Sequence, residues 1–229
     1  MIERKDARTV LVINPNTNTA TTKMMCTVAQ CELAEFSVMG ATAARGPKMI
    51  TDDEELKNSR RYATAAGLSE FMEHPEIVGV IVAAYGDPGR EVLADLLPVP
   101  VVGLAESSIL SAAEAAEPFG IATSTPGLVN SIIALVDDYR GDVEFTGVEL
   151  TSSSPTILAA NPDRQFEELR AAVIACVDKG ARAVIIGGGP LSETARRLAA
   201  LDVSRVIEPV PAACVRLRGL LAREGRDST

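Results

Sequence analysis

The feature that most constrains the fold of this chain is the alternation of short apolar segments with longer helical patterns. The apolar runs of strand length are TVLVIN (9–14), EFSVMGA (35–41), VGVIVAA (78–84), VPVVGL (99–104), FGIAT (119–123), VEFTGVEL (143–150), ARAVIIG (181–187) and SRVIEP (204–209). Helices are predicted at about residues 17–33, 53–73, 90–97, 106–117, 126–138, 163–179, 192–200 and 211–223. This alternation predicts an α/β fold with parallel sheets.

The composition supports this fold class and argues against several partners. Hydrophobic residues make up 47% of the 229 residues, but aromatic residues only 3%, so the core depends on aliphatic side chains, as in helix-covered parallel sheets. The net charge of −9 argues against a nucleic-acid surface. No apolar stretch approaches the roughly 20 residues of a membrane span, and the N-terminal residues MIERKDAR lack a signal-peptide core. The sequence therefore predicts a cytoplasmic protein without a membrane partner.

Two segments of the chain share one plan. Residues 80–103 and residues 184–209 each contain an apolar strand, a loop of small residues with a proline, a short helix and a short strand. The overlay pairs Ala84 with Gly188, and it can reflect either duplication or ordinary βαβ regularity. It suggests two similar lobes.

We expect lobe 1 to contain residues 1–104 and 206–229, and lobe 2 to contain residues 105–205. Ligands of open parallel sheets bind beyond the carboxyl ends of the strands. Two facing lobes would therefore hold the site in the cleft between them.

The cysteines and the single histidine do not form a recognisable metal or catalytic motif. Cys26, Cys31, Cys176 and Cys214 show no CxxC spacing, and His74 precedes a proline at a predicted helix end. The first three cysteines fall within predicted helices, where buried and inert thiols are expected, whereas Cys214 begins the last helix. We expect no metal site and no cofactor.

The turn after the first strand is a candidate binding element. Asn14 ends the strand, and Asn16 or Thr17 can cap the following helix, whose free N–H groups attract an anion. The functional interpretation is a carboxylate pocket. A plain turn before a capped helix explains Asn16 and Thr17 but leaves Asn14 less well accounted for.

The loop after the third predicted strand offers a hydroxyl donor and a carboxylate. Ala84 and Gly86 are small enough to let a ligand approach the backbone, and Tyr85 and Asp87 carry the polar groups. Asp87 can equally cap the helix predicted at residues 90–97, and capping is the favoured interpretation.

The second half of the chain contains matching candidates. Thr123 and Ser124 follow an apolar strand and precede Pro126, an arrangement that suits anion contact or helix capping. Gly188 and Gly189 permit close approach of a ligand to the backbone, although the phosphate-binding glycine motifs are absent from the sequence.

Three glutamates follow strands or loops and can face the cleft or stabilise helix ends. Structural use is favoured for Glu106, which begins a helix. Glu193 follows the triple-glycine loop, and Glu208 ends the last strand. Both alternatives remain open for these two residues.

Five stretches in family order resemble the hydantoin/allantoin racemase branch of the aspartate/glutamate racemase superfamily. They are VLVINPNTN (10–18), GPKMI (46–50), VIVAAYGDPG (80–89), PVVGLAESS (100–108) and RVIEPVPAA (205–213). The resemblance implies two pseudo-symmetric α/β lobes, a cofactor-free site in the cleft, and homo-oligomers.

The resemblance also implies two catalytic cysteines, which this chain lacks. Racemases of the family place one cysteine at a strand end in each lobe, so that one thiolate removes the α-proton and the other thiol returns one. The matching positions here are Ala84 and Gly188, and neither side chain can carry a proton.

The sequence therefore predicts a cofactor-independent enzyme for a small carboxylate or a cyclic amide or ureide. Hydrolysis by an oxygen acid or base is the favoured reaction, with Tyr85, Asp87 and Glu193 as catalytic candidates. The substrate-binding candidates are Asn14, Ala84, Thr123, Ser124, Gly188 and Gly189. The alternatives are a racemase or isomerase with a relocated base, and a non-catalytic protein that binds small carboxylates.

Overall fold

The computed structural model describes residues 8–201 and 204–227, and its first half forms a four-stranded parallel sheet. The strands are β1 (Thr9–Asn14), β2 (Ser37–Thr42), β3 (Ile77–Val82) and β4 (Val101–Gly103), in the order β2-β1-β3-β4. The helices that follow these strands are α1 (Thr19–Glu32), α2 (Asp53–Glu73), α3 (Arg90–Leu96) and α4 (Leu104–Glu114).

The second half repeats this arrangement. Its parallel sheet has the order β6-β5-β7-β8, with β5 (Phe119–Thr123), β6 (Phe145–Leu150), β7 (Ala183–Ile186) and β8 (Arg205–Ile207). Its helices are α5 (Val129–Tyr139), α6 (Pro155–Ala159), α7 (Pro162–Asp178), α8 (Ser192–Ala199) and α9 (Pro209–Asp227), and a 3₁₀ turn covers Gly189–Leu191. Because both sheets share one strand order, the predicted α/β fold with two similar halves is confirmed.

The strands form where the sequence supplies uninterrupted apolar runs. Every residue of β1, β5 and β7 is buried, as expected for central strands covered by helices on both faces. The strands β2 and β6 lie at sheet edges and are mostly half-exposed. The sequence missed α6 and the 3₁₀ turn, which are too short to show a period.

The last helix returns to the first sheet. α9 packs against α1, α4, β3 and β4. This packing is compatible with a first lobe that includes the C-terminal segment, and the division at residues 104/105 and 205/206 stays a prediction. Residues 1–7, 202–203 and 228–229 of the predicted lobes lie outside the described residues.

The two halves touch directly. Asp52 and Gly127 form a parallel β-bridge, and a Cβ atom on Gly127 would lie 2.5 Å from the Thr51 carbonyl oxygen. Ser131 on α5 donates a hydrogen bond of 2.5 Å to Asp53 on α2. The glycine at position 127 therefore permits a close contact between the two halves.

Within residues 8–201 and 204–227, no helix has the length and apolar character needed to cross a bilayer.

Candidate functional site

The loops that follow β3 and β7 meet between the two sheets. A Cβ atom on Gly189 would lie 3.3 Å from the Ala83 carbonyl oxygen, and one on Gly187 would lie 3.4 Å from Cε1 of Tyr85. These loops contain the two positions that the internal overlay pairs, Ala84 and Gly188. The carboxyl ends of the central strands therefore bring the paired segments together.

A small cavity lies where these loops meet. Its volume is about 60 Å³, well below the several hundred Å³ of an open ligand pocket, so a ring-sized ligand fits only if the loops around the cavity move apart. Its polar or small lining residues are Asn16, Thr21, Ala83, Ala84, Tyr85, Ser124, Thr125, Ala159, Gln165 and Gly189. Ala84, Tyr85, Ser124 and Gly189 were site candidates from the sequence.

Tyr85 is the one titratable side chain that lines this cavity among the described residues. It is 5% exposed, and its hydroxyl lies 3.5 Å from the Ser108 hydroxyl, which donates to the Leu104 carbonyl at 2.7 Å. Burial raises the pKa of Tyr85 above its ordinary value. The phenol therefore stays protonated near neutral pH and can act as a donor.

Thr123 positions the glycine loop and does not line the cavity. Its buried hydroxyl donates to the Gly187 carbonyl at 2.6 Å and lies 3.1 Å from the Thr125 hydroxyl. The N-cap of α5 is Leu128, with no side-chain hydrogen bond. Of the two alternatives for Thr123 and Ser124, helix capping is therefore wrong, because the chain continues past Pro126 before α5 begins.

Gly188 uses its backbone within the loop. Its N–H donates a hydrogen bond to the Ile186 carbonyl at 3.1 Å. Gly188 is not among the described residues that line the cavity. A Cβ atom there would lie 3.1 Å from Cδ1 of Leu191, the end of a flexible side chain. A small side chain at position 188 therefore needs only a slight movement of Leu191.

Asn14 organises the turn after β1. Its amide nitrogen donates to the Asn18 carbonyl and the Thr22 hydroxyl, each at 3.0 Å, and its amide oxygen accepts from the Asn16 N–H at 3.2 Å. Asn18 caps α1, which corrects the prediction that Asn16 or Thr17 would do so. Asn16 instead lines the cavity.

Asp87 is buried and caps a helix other than the one predicted. Its carboxylate accepts hydrogen bonds from Ala105 N at 2.9 Å and Glu106 N at 2.7 Å, at the start of α4. The N-cap of α3 is Gly89, with no side-chain hydrogen bond. Asp87 is not among the described residues that line the cleft cavity. Its carboxylate instead caps the start of α4.

The buried position of Asp87 depends on Gly103 and disfavours the ionised form of its carboxyl group. A Cβ atom at Gly103 would collide with the Asp87 carboxylate, so only glycine leaves room for it. Burial raises the pKa of Asp87 to about 7, against the two amide hydrogen bonds and the Arg90 charge, which lower it.

A charged cluster extends from Asp87 along the start of α4. Glu106 is buried and lies 3.1 Å from Arg216 and 3.6 Å from Arg90, and Arg90 donates to the Tyr139 hydroxyl at 3.1 Å. Glu106 also accepts from Gly103 N at 3.3 Å. The favoured structural use of Glu106 is therefore confirmed.

The other acid candidate lies away from the cavity. Glu193 is exposed at the start of α8 and is not among the described residues that line the cavity. Of the three catalytic candidates, the structure brings only Tyr85 to the meeting point of the two loops.

The thiols contribute nothing to the cavity. Cys176 and Cys214 are buried, and burial raises the pKa of each to about 12. Cys31 is exposed and Cys26 is half-buried, which corrects the predicted burial of these two thiols. Among the residues that the structure describes, no cluster of three or more His, Cys, Asp or Glu side chains could hold a metal ion.

Sequence reasoning missed Thr21 and Gln165 in the cavity lining. Gln165 lies on α7 and accepts a hydrogen bond of 2.5 Å from the Thr194 hydroxyl. Its position follows from how α7 packs, and no local pattern signals it.

The Asp/Glu/Hydantoin racemase family model matches residues 10–217 of the chain. The chain belongs to this family. A hydantoin racemase of Paenarthrobacter aurescens is 27% identical over 216 residues, covering 93% of this chain and 91% of the relative. These matches place the chain in the hydantoin racemase-like branch.

Solved structures of the family share the fold. Allantoin racemase from Klebsiella pneumoniae superposes with a TM-score of 0.85 at 23% identity, covering 95% of this chain and 89% of the other. Glutamate racemase from Francisella tularensis gives a TM-score of 0.69 at 15% identity, covering 96% of this chain and 83% of the other.

Membership identifies the chain as an enzyme of the Asp/Glu/hydantoin racemase superfamily that acts on a small molecule. The relatives are racemases, so they give no support to the favoured hydrolytic reaction, and the isomerase alternative fits them better.

Proposed function

We propose that this protein is a cofactor-independent isomerase for a small cyclic amide or ureide, such as a hydantoin or allantoin, and that it works without catalytic thiols. The observation that carries this proposal is the neutral lining of the inter-lobe cavity. The hydroxyl-bearing residues Thr21, Tyr85, Ser124 and Thr125 line it together with the amide-bearing residues Asn16 and Gln165. Such groups can donate hydrogen bonds to a carbonyl oxygen as it becomes negatively charged.

The proposed reaction exchanges the hydrogen on the carbon beside a ring carbonyl. The C–H bond breaks, the proton passes to a water molecule or hydroxide ion, and the electron pair moves onto the carbonyl oxygen. Donors in the cavity stabilise the resulting enolate. A solvent proton then adds to either face of the carbon, which racemises it.

Tyr85 has the role of a neutral donor in this scheme. Its raised pKa makes the phenolate too scarce near neutral pH to act as the base. The step therefore depends on stabilising the anion, and we expect turnover slower than that of a two-thiol racemase.

The test follows the hydrogen directly. The protein is incubated in D₂O with a methyl-substituted hydantoin or with allantoin, and proton NMR records the loss of the α-hydrogen signal. We expect exchange faster than in buffer, slowed about tenfold or more by Tyr85→Phe. Tyr62→Phe is the matched control, because the Tyr62 hydroxyl is bonded to Arg61 on α2, outside the cavity.

One result would contradict the isomerase, and a second would contradict the role of Tyr85. A ring-opened product would restore the hydrolytic reaction. Equal exchange rates in Tyr85→Phe and the unaltered protein would remove Tyr85 from the mechanism.

The residues at positions 84 and 188 favour a second candidate, a binding protein for a small carboxylate or ureide. Ala84 and Gly188 carry no proton donor or acceptor in their side chains. Tight binding of allantoin, with no deuterium exchange and no new product after long incubation, would identify this function.

A further inference from the structure

Gln165 lines the inter-lobe cavity with only half of its amide group hydrogen-bonded. It lies on α7 and is 9% exposed, and its amide oxygen accepts a hydrogen bond of 2.5 Å from the Thr194 hydroxyl. Its amide nitrogen has no hydrogen-bond partner within residues 8–201 and 204–227, and it is not one of the fully buried atoms that lack a partner. The nitrogen therefore keeps its N–H donors on accessible surface.

Thr194 restricts the direction of this donor. It is 4% exposed on α8 and is not among the described residues that line the cavity. Because an amide group is planar, a hydrogen bond that holds the oxygen also limits where the nitrogen can turn. Two residues earlier, the Ser192 hydroxyl donates to the Gly189 carbonyl at 2.7 Å, which ties the start of α8 to the cavity lining. The donor of Gln165 is thus oriented before any ligand binds.

The cavity offers donors but no charge that could pair with an ion. No charged residue is among the described residues that line it. Asn16 resembles Gln165, because its amide oxygen accepts from the Asn18 N–H at 2.9 Å and its nitrogen has no partner among the described residues. An amide nitrogen can only donate, so a carbonyl oxygen is the complementary group. An ionised carboxylate would lose its hydration there without gaining a counter-charge.

We infer that Gln165 donates a hydrogen bond from its amide nitrogen to a carbonyl oxygen of a neutral cyclic ureide, and that Thr194 is the positioning residue that holds this donor. The inference rests on the proposed function, since the cavity is the same. Gln165, Thr194 and Gly189 all belong to the second half of the chain. Their arrangement therefore stays intact when the two halves move apart to admit the ring.

The first test measures binding without turnover. Calorimetric titration with a methyl-substituted hydantoin should give a dissociation constant that rises about tenfold in Gln165→Met, which keeps the length of the side chain but removes the donor. Gln30→Met is the matched control, because Gln30 is exposed on α1 and bonded to the Leu33 and Phe36 carbonyls outside the cavity. An unchanged dissociation constant in Gln165→Met would overturn the inference, as would the absence of measurable binding.

A second readout needs no altered protein. The side-chain amide signal of Gln165 in ¹⁵N-labelled protein, assigned by its loss in Gln165→Met, should move in a saturable way as the hydantoin is added. The Gln30 signal should stay in place. A Gln165 signal that does not move under saturating hydantoin would overturn the inference.

The role of Thr194 is tested through Gln165. Thr194→Val should raise the dissociation constant several-fold, Thr194→Ser should restore it, and Thr194→Val should have no further effect in the Gln165→Met background. Thr146→Val is the control, because that hydroxyl donates to the Phe119 carbonyl outside the cavity. Additive effects of the Thr194 and Gln165 substitutions would overturn the positioning role.

The choice of ligand tests the preference for a neutral ring. N-carbamoyl-alanine is the ring-opened form of the same hydantoin and carries an ionised carboxylate, so we expect it to bind about tenfold more weakly or worse. Equal affinity for the two compounds would overturn this preference.

Deuterium exchange on the same proteins separates this inference from the isomerase. Hydantoin binding that depends on Gln165, without exchange of the α-hydrogen, would support the inference and remove the isomerase. Exchange that proceeds with the same KM in Gln165→Met and the unaltered protein would keep the isomerase and overturn the inference.

Discussion

The loop after β3 contributes residues both to the inter-lobe cavity and to the charged cluster at the start of α4, and these two regions differ in chemistry. Tyr85 lines a cavity of neutral residues, and two residues later Asp87 binds the backbone of α4. Acidic side chains near the cleft are thus engaged in holding helices, whereas uncharged donors line the cavity. Proximity in sequence to a cavity therefore does not make a carboxylate catalytic.

The largest effect should come from Gly103→Ala, which disrupts the charged cluster. The new Cβ atom would collide with the Asp87 carboxylate and force it from the α4 amides, so we expect a loss of about 3 kcal/mol or more in the free energy of unfolding. Urea unfolding measures the change.

Gly219→Ala is the control for this substitution. No atom lies within 4 Å of a Cβ built on Gly219 in α9, so alanine should raise stability by about 0.5–1 kcal/mol. Equal stability of the two variants would show that Gly103 does not make room for Asp87.

Asp87→Asn should have the next largest effect. An amide has only one acceptor oxygen, so one of the two buried N–H groups at Ala105 and Glu106 loses its partner. We expect a loss of about 1–3 kcal/mol by urea unfolding. If the variant were as stable as the unaltered protein, the cap would contribute nothing.

The same pair of proteins tests the pKa of Asp87. The folded-state pKa of about 7 lies above the unfolded value of about 3.9, so the folded state favours the protonated carboxyl. The protonated Asp87 carboxyl therefore contributes to the free energy of unfolding in full below about pH 4, and this contribution is lost as the pH rises through about 7. The stability difference between the unaltered protein and Asp87→Asn should therefore shrink from about pH 5 to about pH 8, and a constant difference would contradict the raised pKa.

Thr123→Val should have the smallest effect on stability. The substitution keeps the side-chain shape but removes the hydroxyl that donates to the Gly187 carbonyl, which we expect to cost about 1 kcal/mol. Thr27→Val is the control on an exposed face of α1, where the cost should stay within about 0.5 kcal/mol. Thermal unfolding of both variants compares them.

The sequence predicted the fold well because local patterns determine it. The central strands β1, β3, β5 and β7 are predominantly apolar, and the loops after β3 and β7 are rich in small residues that match in the overlay. Their meeting between the sheets follows from parallel topology, in which the carboxyl ends of strands share one edge.

The partners of individual side chains could not be predicted in the same way. Asp87 was expected to cap the next helix along the chain, but it reaches α4, which begins 17 residues later at Leu104. The space it needs is created by Gly103, and the contribution of Gln165 depends on how α7 packs. These contacts arise from tertiary packing, which no local pattern records.

The central claim is that the two facing loops form a racemase-type substrate site from which the thiols are missing. The double variant Ala84→Cys with Gly188→Cys tests it most directly, since a Cβ atom at position 188 requires only a slight shift of Leu191. Racemisation of an enantiopure methyl-substituted hydantoin is followed by polarimetry, with each single variant and Gly188→Ala as controls.

We predict that the folded double variant racemises the hydantoin about 100-fold faster than the unaltered protein, and faster than either single variant, because proton transfer then occurs on both faces. A folded double variant that is no faster than the unaltered protein would contradict the claim that the loops after β3 and β7 form a racemase-type substrate site.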